Sequence, residues 1–276
     1  MTSIISPLPV IKFSARDAER FWEVPVLFED EHLLALDKPA GLPATPDRLD
    51  RKRPNVSELL HQGIVGGAKW ATKRDIRYLV TTHRLDAEAS GVLLLAKNKA
   101  ALVHLCNQFG QQNPHITYTA LSSGQPEVMK NTIDSGLVPH PLRPELQMVN
   151  SRLGKKAITN YEVYELLPGY CLIRVIPLTS RPHQIRAHLK HVGLPIVGDT
   201  LYGGSHLYLS SLKHSYREKP NSPEQPLIRR LALHVESLRV NHPVTGAELC
   251  IESPLPKDFL VGLKYLRKYS RGGPTV

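Results

Sequence analysis

No run of about 18 apolar residues occurs in this chain, so no segment is long and greasy enough to cross a bilayer as a helix. The opening MTSIISPLPVIKFSARD has a short apolar patch. It lacks a charged leader and a small-residue cleavage site, so it does not read as a signal peptide. A soluble, intracellular, cytoplasmic protein is expected. Cysteine is scarce: Cys106, Cys171 and Cys250 are three residues far apart. An odd, scattered set is neither a disulfide framework nor a zinc site. There is no P-loop and no GxGxxG, which removes the usual nucleotide-cofactor sites. HRLD at 83–86 echoes the kinase catalytic loop, but no Gly-rich loop or DFG accompanies it.

What is present is a chain of 276 residues, 41% hydrophobic, enough for a substantial core. Lys and Arg outnumber Asp and Glu by 35 to 25, a formal charge of +10. Such a balance favours a polyanionic partner. The basic residues cluster: Arg48, Arg51, Lys52 and Arg53; Lys69, Lys73, Arg74 and Arg77; and Lys264, Arg267, Lys268 and Arg271. Each cluster could equally be a solvated face.

Residues 1–25 show no strong periodicity and read as a lead-in arm. Val26–Phe28 and Leu33–Asp37 read as a hairpin, followed by a Lys38-Pro39-Ala40-Gly41 loop. A helix is expected around Val56–Gln62. GVLLLA at 91–96 has the composition of a strand buried on both faces. Asn98 can cap a helix bearing Leu102, Leu105 and Phe109. Ile116–Leu121 is a strand, and residues 124–156 are a polar excursion. Thr159, Tyr161 and Val163 alternate as in a half-buried strand, and Cys171–Leu178 is another. A helix is expected over Pro182–Val192, with Ser180 or Thr179 as its cap and Gly193 as its stop. Residues 205–230 form a polar insertion. Leu231–Val240 and Glu248–Glu252 pair around a turn, and a last amphipathic helix carries Phe259, Leu260, Leu263 and Leu266. Many strands and few helices give an α+β chain with a mixed, mainly antiparallel sheet.

Two polar segments could carry chemistry. His83-Arg84-Leu85-Asp86 leads into the buried strand, which would hold the Asp86 carboxylate at the mouth of a sheet. Its plain alternative is a turn or cap aspartate. Leu178–His188 places long polar side chains at the start of a helix, where anions are favoured. Arg186, on the edge of the apolar stripe, needs a carboxylate partner; Asp86 is one candidate and any other acid is the alternative. His183 and His188 are five apart, not the four that puts two metal ligands on one helical face. Tyr118 could stack on a base or be an ordinary core tyrosine.

In this order, the segments resemble the RluA-type RNA pseudouridine synthases, over about residues 26–256. The resemblance rests on VLFEDEHLLALDKPAGLP (26–43), HRLDAEASGVLLLAK (83–97), ITYTALSSG (116–124) and GKKAITNYEV (154–163). It continues in LTSRPHQIRAHLKHVGLPIVGDTLYGG (178–204) and RLALHVESLRVNHPVTGAELCIESPLP (230–256). Three residues depart from the family pattern. Ala89 stands where Thr is usual, Ser180 replaces the Gly of TGR, and Ile116 stands where a basic residue is usual.

The resemblance implies an α+β synthase fold with flanking helices and a central active-site cleft. It implies one catalytic domain over 26–276 behind an arm of residues 1–25. About 25 residues precede the hairpin, too few for the S4 module that many members carry. It implies isomerisation of specific uridines in ribosomal or transfer RNA. Asp86 would be the catalytic carboxylate. Tyr118 would stack on the base and take a sugar proton, and Arg186 would pair with Asp86. Leu233 would line the pocket, Arg84 would fill the gap left by the flipped nucleotide, and His83 would help shape the loop. The reaction breaks N1–C1′ and forms C5–C1′ with no redox change or group donor, so no cofactor and no metal are expected. RNA is the expected partner, with no membrane, no protein partner and a monomeric state. Two readings stand beside this one: a catalytically silent RNA-binding protein on the same fold, and a carboxylate-using nucleoside or glycoside hydrolase, which needs a second acid.

Overall fold

The computed structural model describes residues 9–15, 20–47, 50–111, 114–218 and 222–270. Arg48, Lys219 and Arg271 lie outside the described residues. The first part of the chain forms β1 (Val10–Ala15), β2 (Arg20–Glu29), β3 (Leu33–Lys38), α1 (Val56–Val65), α2 (Lys69–Thr72), β4 (Val80–Thr81), β5 (Ser90–Ala96) and α3 (Lys99–Gly110). Then come β6 (His115–Ser123), β7 (Lys130–Asp134), β8 (Leu137–His140), β9 (Arg143–Val149), β10 (Ile158–Leu167), β11 (Tyr170–Pro177) and α4 (Gln184–His191). A 3-10 turn at Thr200–Tyr202 precedes β12 (Leu233–Asn241), β13 (Glu248–Glu252) and α5 (Lys257–Ser270). No described helix is long and apolar enough to cross a membrane.

The chain divides into two compact units. The first comprises Met1–His115 with Val235–Ser253, the second Ile116–His234 with Pro254–Val276. In the first, β1 pairs with β2, β2 with β3, and β3 with β5, all antiparallel. β12 and β13 form a further antiparallel pair. Every residue of β5 is buried, as its unbroken apolar run predicts. Leu93 and Leu95 join Leu34 and Leu36 in one core with Leu59 and Leu60 of α1. Asn55 caps α1 by accepting from Glu58 N–H at 3.0 Å, and Asn98 caps α3 by accepting from Ala101 N–H at 2.8 Å.

The lead-in reading of residues 1–25 misses a hairpin. Ile11, Phe13 and Val24 are buried in the same core, and the Phe13 ring meets Trp70 edge-on at 6.4 Å. The alternation of buried and exposed positions in β1 spans only six residues, so its period is weak in sequence.

In the second unit the sheet order is β6-β11-β10-β7, with antiparallel pairs throughout. Thr159, Tyr161 and Val163 are buried on one face of β10, as their alternation predicts. The excursion at 124–156 is more ordered than its composition indicates. It holds β7 and the separate β8–β9 hairpin. Each of these strands buries a single residue, Ile133, Leu137 or Leu146, so polar residues dominate the pattern. In α5, Phe259, Leu263 and Leu266 are buried, but Leu260 is exposed.

Candidate active site

In the first unit, the Asp86 loop runs from β4 into β5. Asp86 is half-buried and its neighbour Leu85 is buried, which pins the loop from beneath. Lys38 is the main clamp. Its side chain is fully buried, and Nζ donates to the carbonyls of Pro39 at 2.9 Å, Leu42 at 2.8 Å and Ala87 at 3.1 Å. Gly41 N–H also donates to the Ala87 carbonyl, at 2.8 Å. The KPAG turn and the residue after Asp86 are thereby one hydrogen-bonded block. Arg53 reinforces it, donating to the Gly41 carbonyl at 3.0 Å and lying 3.9 Å from Glu88. On the far side, Gly91 has φ +109, and an added Cβ would strike the Val235 carbonyl oxygen.

His83 also shapes this loop. Leu94 N–H donates to its Nε2 at 3.0 Å, so the proton resides on Nδ1, which faces the Arg84 carbonyl at 3.4 Å. The imidazole thus continues the β4–β5 ladder with a side chain, and it stacks on Phe109 at 5.2 Å. Burial pushes its pKa down to about 4, which keeps the ring neutral. Arg84 is exposed.

In the second unit, α4 starts later than the sequence suggests. Neither Ser180 nor Thr179 caps it. His183 occupies the cap in a left-handed conformation, φ +49, and the helix opens at Gln184. The reason lies in Gln184. Its Oε1 accepts from Thr179 Oγ1 at 2.9 Å and Arg181 N–H at 3.1 Å, and its Nε2 donates to the Ile158 carbonyl at 3.0 Å and Thr159 Oγ1 at 2.9 Å. Thr179 is thereby taken from the helix, donating to Gln184 and accepting from Ile158 N–H at 2.9 Å. Gly193 does end the helix turn, with φ +75.

Arg186 is 2% exposed, and its Nε and Nη2 donate to the two Asp199 oxygens at 2.8 and 2.7 Å. This bidentate pair is fully dry. The guanidinium also lies 4.9 Å above the Tyr202 ring. The Tyr202 hydroxyl accepts from Gln147 N–H at 2.8 Å and meets His183 Nδ1 at 3.0 Å. His188 is not a ligand site. Its Nδ1 lies 2.8 Å from Thr159 Oγ1 and its Nε2 2.9 Å from the Ser135 carbonyl, and burial lowers its pKa. No cluster able to hold a metal occurs among the described residues. Tyr118 is buried in β6, opposite Val175 of β11, and Leu233 is buried at the start of β12.

Two residues escape a motif-by-motif reading of the sequence. Lys38 looks like one more loop lysine, yet it sits at the end of the apolar strand LLALDK, where a charge must find partners. Asp199 stands in GDTLYGG. Gly198 before it has φ +78, and a Cβ at Gly204 after it would strike the Ile196 carbonyl. Those glycines mark a tight cradle, and the acid inside it is the signal.

A family model described as RNA pseudouridylate synthase matches residues 32–191. Ribosomal large subunit pseudouridine synthase D of Pseudomonas aeruginosa is 33% identical over 261 residues, covering 89% of this chain and 72% of the relative. Dual-specificity RNA pseudouridine synthase RluA of Escherichia coli is 32% identical over 232 residues, covering 83% of this chain and 92% of the relative. Among solved structures, human RNA pseudouridylate synthase domain containing 4 matches with a TM-score of 0.68 and 25% identity, over 88% of this chain and 92% of that one. With its α+β architecture, its ordered segments and these relatives, the chain belongs to the RNA pseudouridylate synthase family and is an RNA pseudouridine synthase.

Proposed function

We propose that this synthase isomerises uridines in a structured RNA, ribosomal RNA foremost and transfer RNA as the second class, with Asp86 as the catalytic carboxylate. The observation that carries the reading is the clamp on the Asp86 loop. A carboxylate that must meet a sugar carbon needs its backbone fixed, and Lys38, Gly41 and Leu85 fix it. The names of relatives that act on the large ribosomal subunit support ribosomal RNA.

The target uridine must leave its stack to be reached. The carboxylate then acts as a nucleophile at C1′ or shields positive charge there while N1–C1′ breaks. The freed uracil turns, C5 bonds to C1′ and gives up its hydrogen to solvent, N1 takes up a proton, and any proton removed from the sugar is returned to it. Tyr118 is assigned the platform for the base and the removal of a sugar proton. Arg186 is assigned the guanidinium that keeps the acid ionised. Leu233 lines the pocket, Arg84 takes the place of the extruded nucleotide, and His83 holds the loop. The basic groups hold the phosphate backbone, with Lys213, His214, Tyr216, Arg217 and Lys219 of the 205–230 insertion as one candidate surface whose alternative is a variable loop.

The test is Asp86→Asn with RNA tritiated at uridine C5, drawn from cells lacking the gene. Wild-type protein should release tritium. The variant should fold and bind the same RNA yet release none. Substantial release by the variant would refute the assignment of Asp86. Mapping pseudouridines with and without the gene identifies the RNA.

A further inference from the structure

A cleft of about 240 Å³ opens in the second unit between the β8–β9 hairpin and α4. Leu146, Met148 and Val149 of β9, Ala187 of α4, and Leu201 and Tyr202 of the 3-10 turn form its walls. His140, Lys190 and His191 also line it, and no Asp or Glu does. The nearby carboxylate of Glu145 is engaged by Arg143 at 3.2 Å. The volume is below the ~300–1,000 Å³ of pockets for drug-sized ligands, so it suits a single ring system.

We infer that this cleft is a second nucleotide site, which takes one unstacked nucleotide of the RNA other than the uridine being isomerised. Apolar walls with the Tyr202 ring suit the face of a base. A rim of one lysine and two histidines, without acids, suits its phosphate. A position on the fold adds to the argument. The Tyr202 ring lines the cleft and also lies under the Arg186 guanidinium. Its hydroxyl ties β9 to His183. A base in the cleft would therefore rest on the ring that supports Arg186. The site rests on the enzyme's action on RNA and adds a contact besides that with the isomerised uridine.

The chain has only three methionines, Met1, Met129 and Met148. Full-length protein with 13C-labelled methionine methyls therefore gives a sparse spectrum, with Met148 assigned by Met148→Leu. Titration with uridine and adenosine 5′-monophosphates should shift the Met148 methyl saturably and leave Met129 in place. Leu201→Trp, which fills the cleft, should abolish the shift. Lys190→Glu should weaken nucleotide binding roughly threefold to tenfold. In the tritium assay on RNA from cells lacking the gene, it should raise KM more than it lowers kcat. A Met148 methyl that ignores both nucleotides, or a response that Lys190→Glu leaves intact, overturns the site. A Lys190→Glu defect confined to kcat overturns it too. Active wild-type protein with a silent Met148 sinks the second site alone; a responsive Met148 in wild-type protein that releases no tritium sinks the synthase reading alone.

Discussion

Lys38 in the first unit and Arg186 in the second are both buried cations, 0% and 2% exposed, yet they spend their donors differently. Lys38 gives hydrogen bonds to three main-chain carbonyls. Arg186 directs a bidentate pair at the Asp199 carboxylate. The first arrangement sculpts backbone: it draws two turns together around the Asp86 loop. The second neutralises charge: it allows a guanidinium to stay ionised out of water. Losing Lys38 should loosen a shape. Losing Asp199 should weaken the hold on a buried charge.

The largest effect expected is at Asp199. Asp199→Ala takes the bidentate carboxylate from the buried Arg186, which should cost about 3–5 kcal/mol in denaturant unfolding. Adding Arg186→Met should restore much of that loss, because an apolar replacement for both partners removes the buried charge. A double variant as unstable as the single one would break the comparison. Next comes Lys38→Met, which leaves carbonyls without this donor and should cost about 1–3 kcal/mol. Its second signature is faster amide exchange at residues 85–89, and unchanged exchange there would count against the clamp.

The smallest effect is a pH dependence. His83 has a folded pKa of about 4 against 6.5 for the free group. The unfolded chain therefore binds the proton first on acidification. The associated stability is intact above 6.5 and drains away as the pH falls towards 4. His188, lowered by burial in the second unit, adds a slope of the same sign. Urea midpoints measured across that window should fall less steeply in His83→Gln than in the wild type. An identical slope would show that His83 is not held neutral.

The sequence announces elements whose pattern is long or pure. GVLLLA is apolar at every position because both faces of β5 are covered, and β10 alternates over ten residues. It hides elements that bury one residue each, such as β7 to β9, where solvent sets the composition. Of the candidate site, place beside apolar runs draws notice to Asp86 and Arg186 but leaves turn and structural readings open, and the family resemblance supplies their roles. Their supports are not legible there. The late start of α4 follows from Gln184 competing for Thr179, a choice made by side chains that no period records. Asp199 lies 13 positions after Arg186, and only the folded chain makes them a pair.

Gly91 carries a last consequence. The Val235 carbonyl occupies the space where any other residue would place its first side-chain carbon. Position 91 can therefore drift to nothing larger while that strand stays put, and the strand cannot shift without dragging the floor beneath the Asp86 loop. Two stretches far apart in the gene are bound to change together or not at all. A library randomised at both 91 and 235 should return glycine at the first in nearly every folded clone.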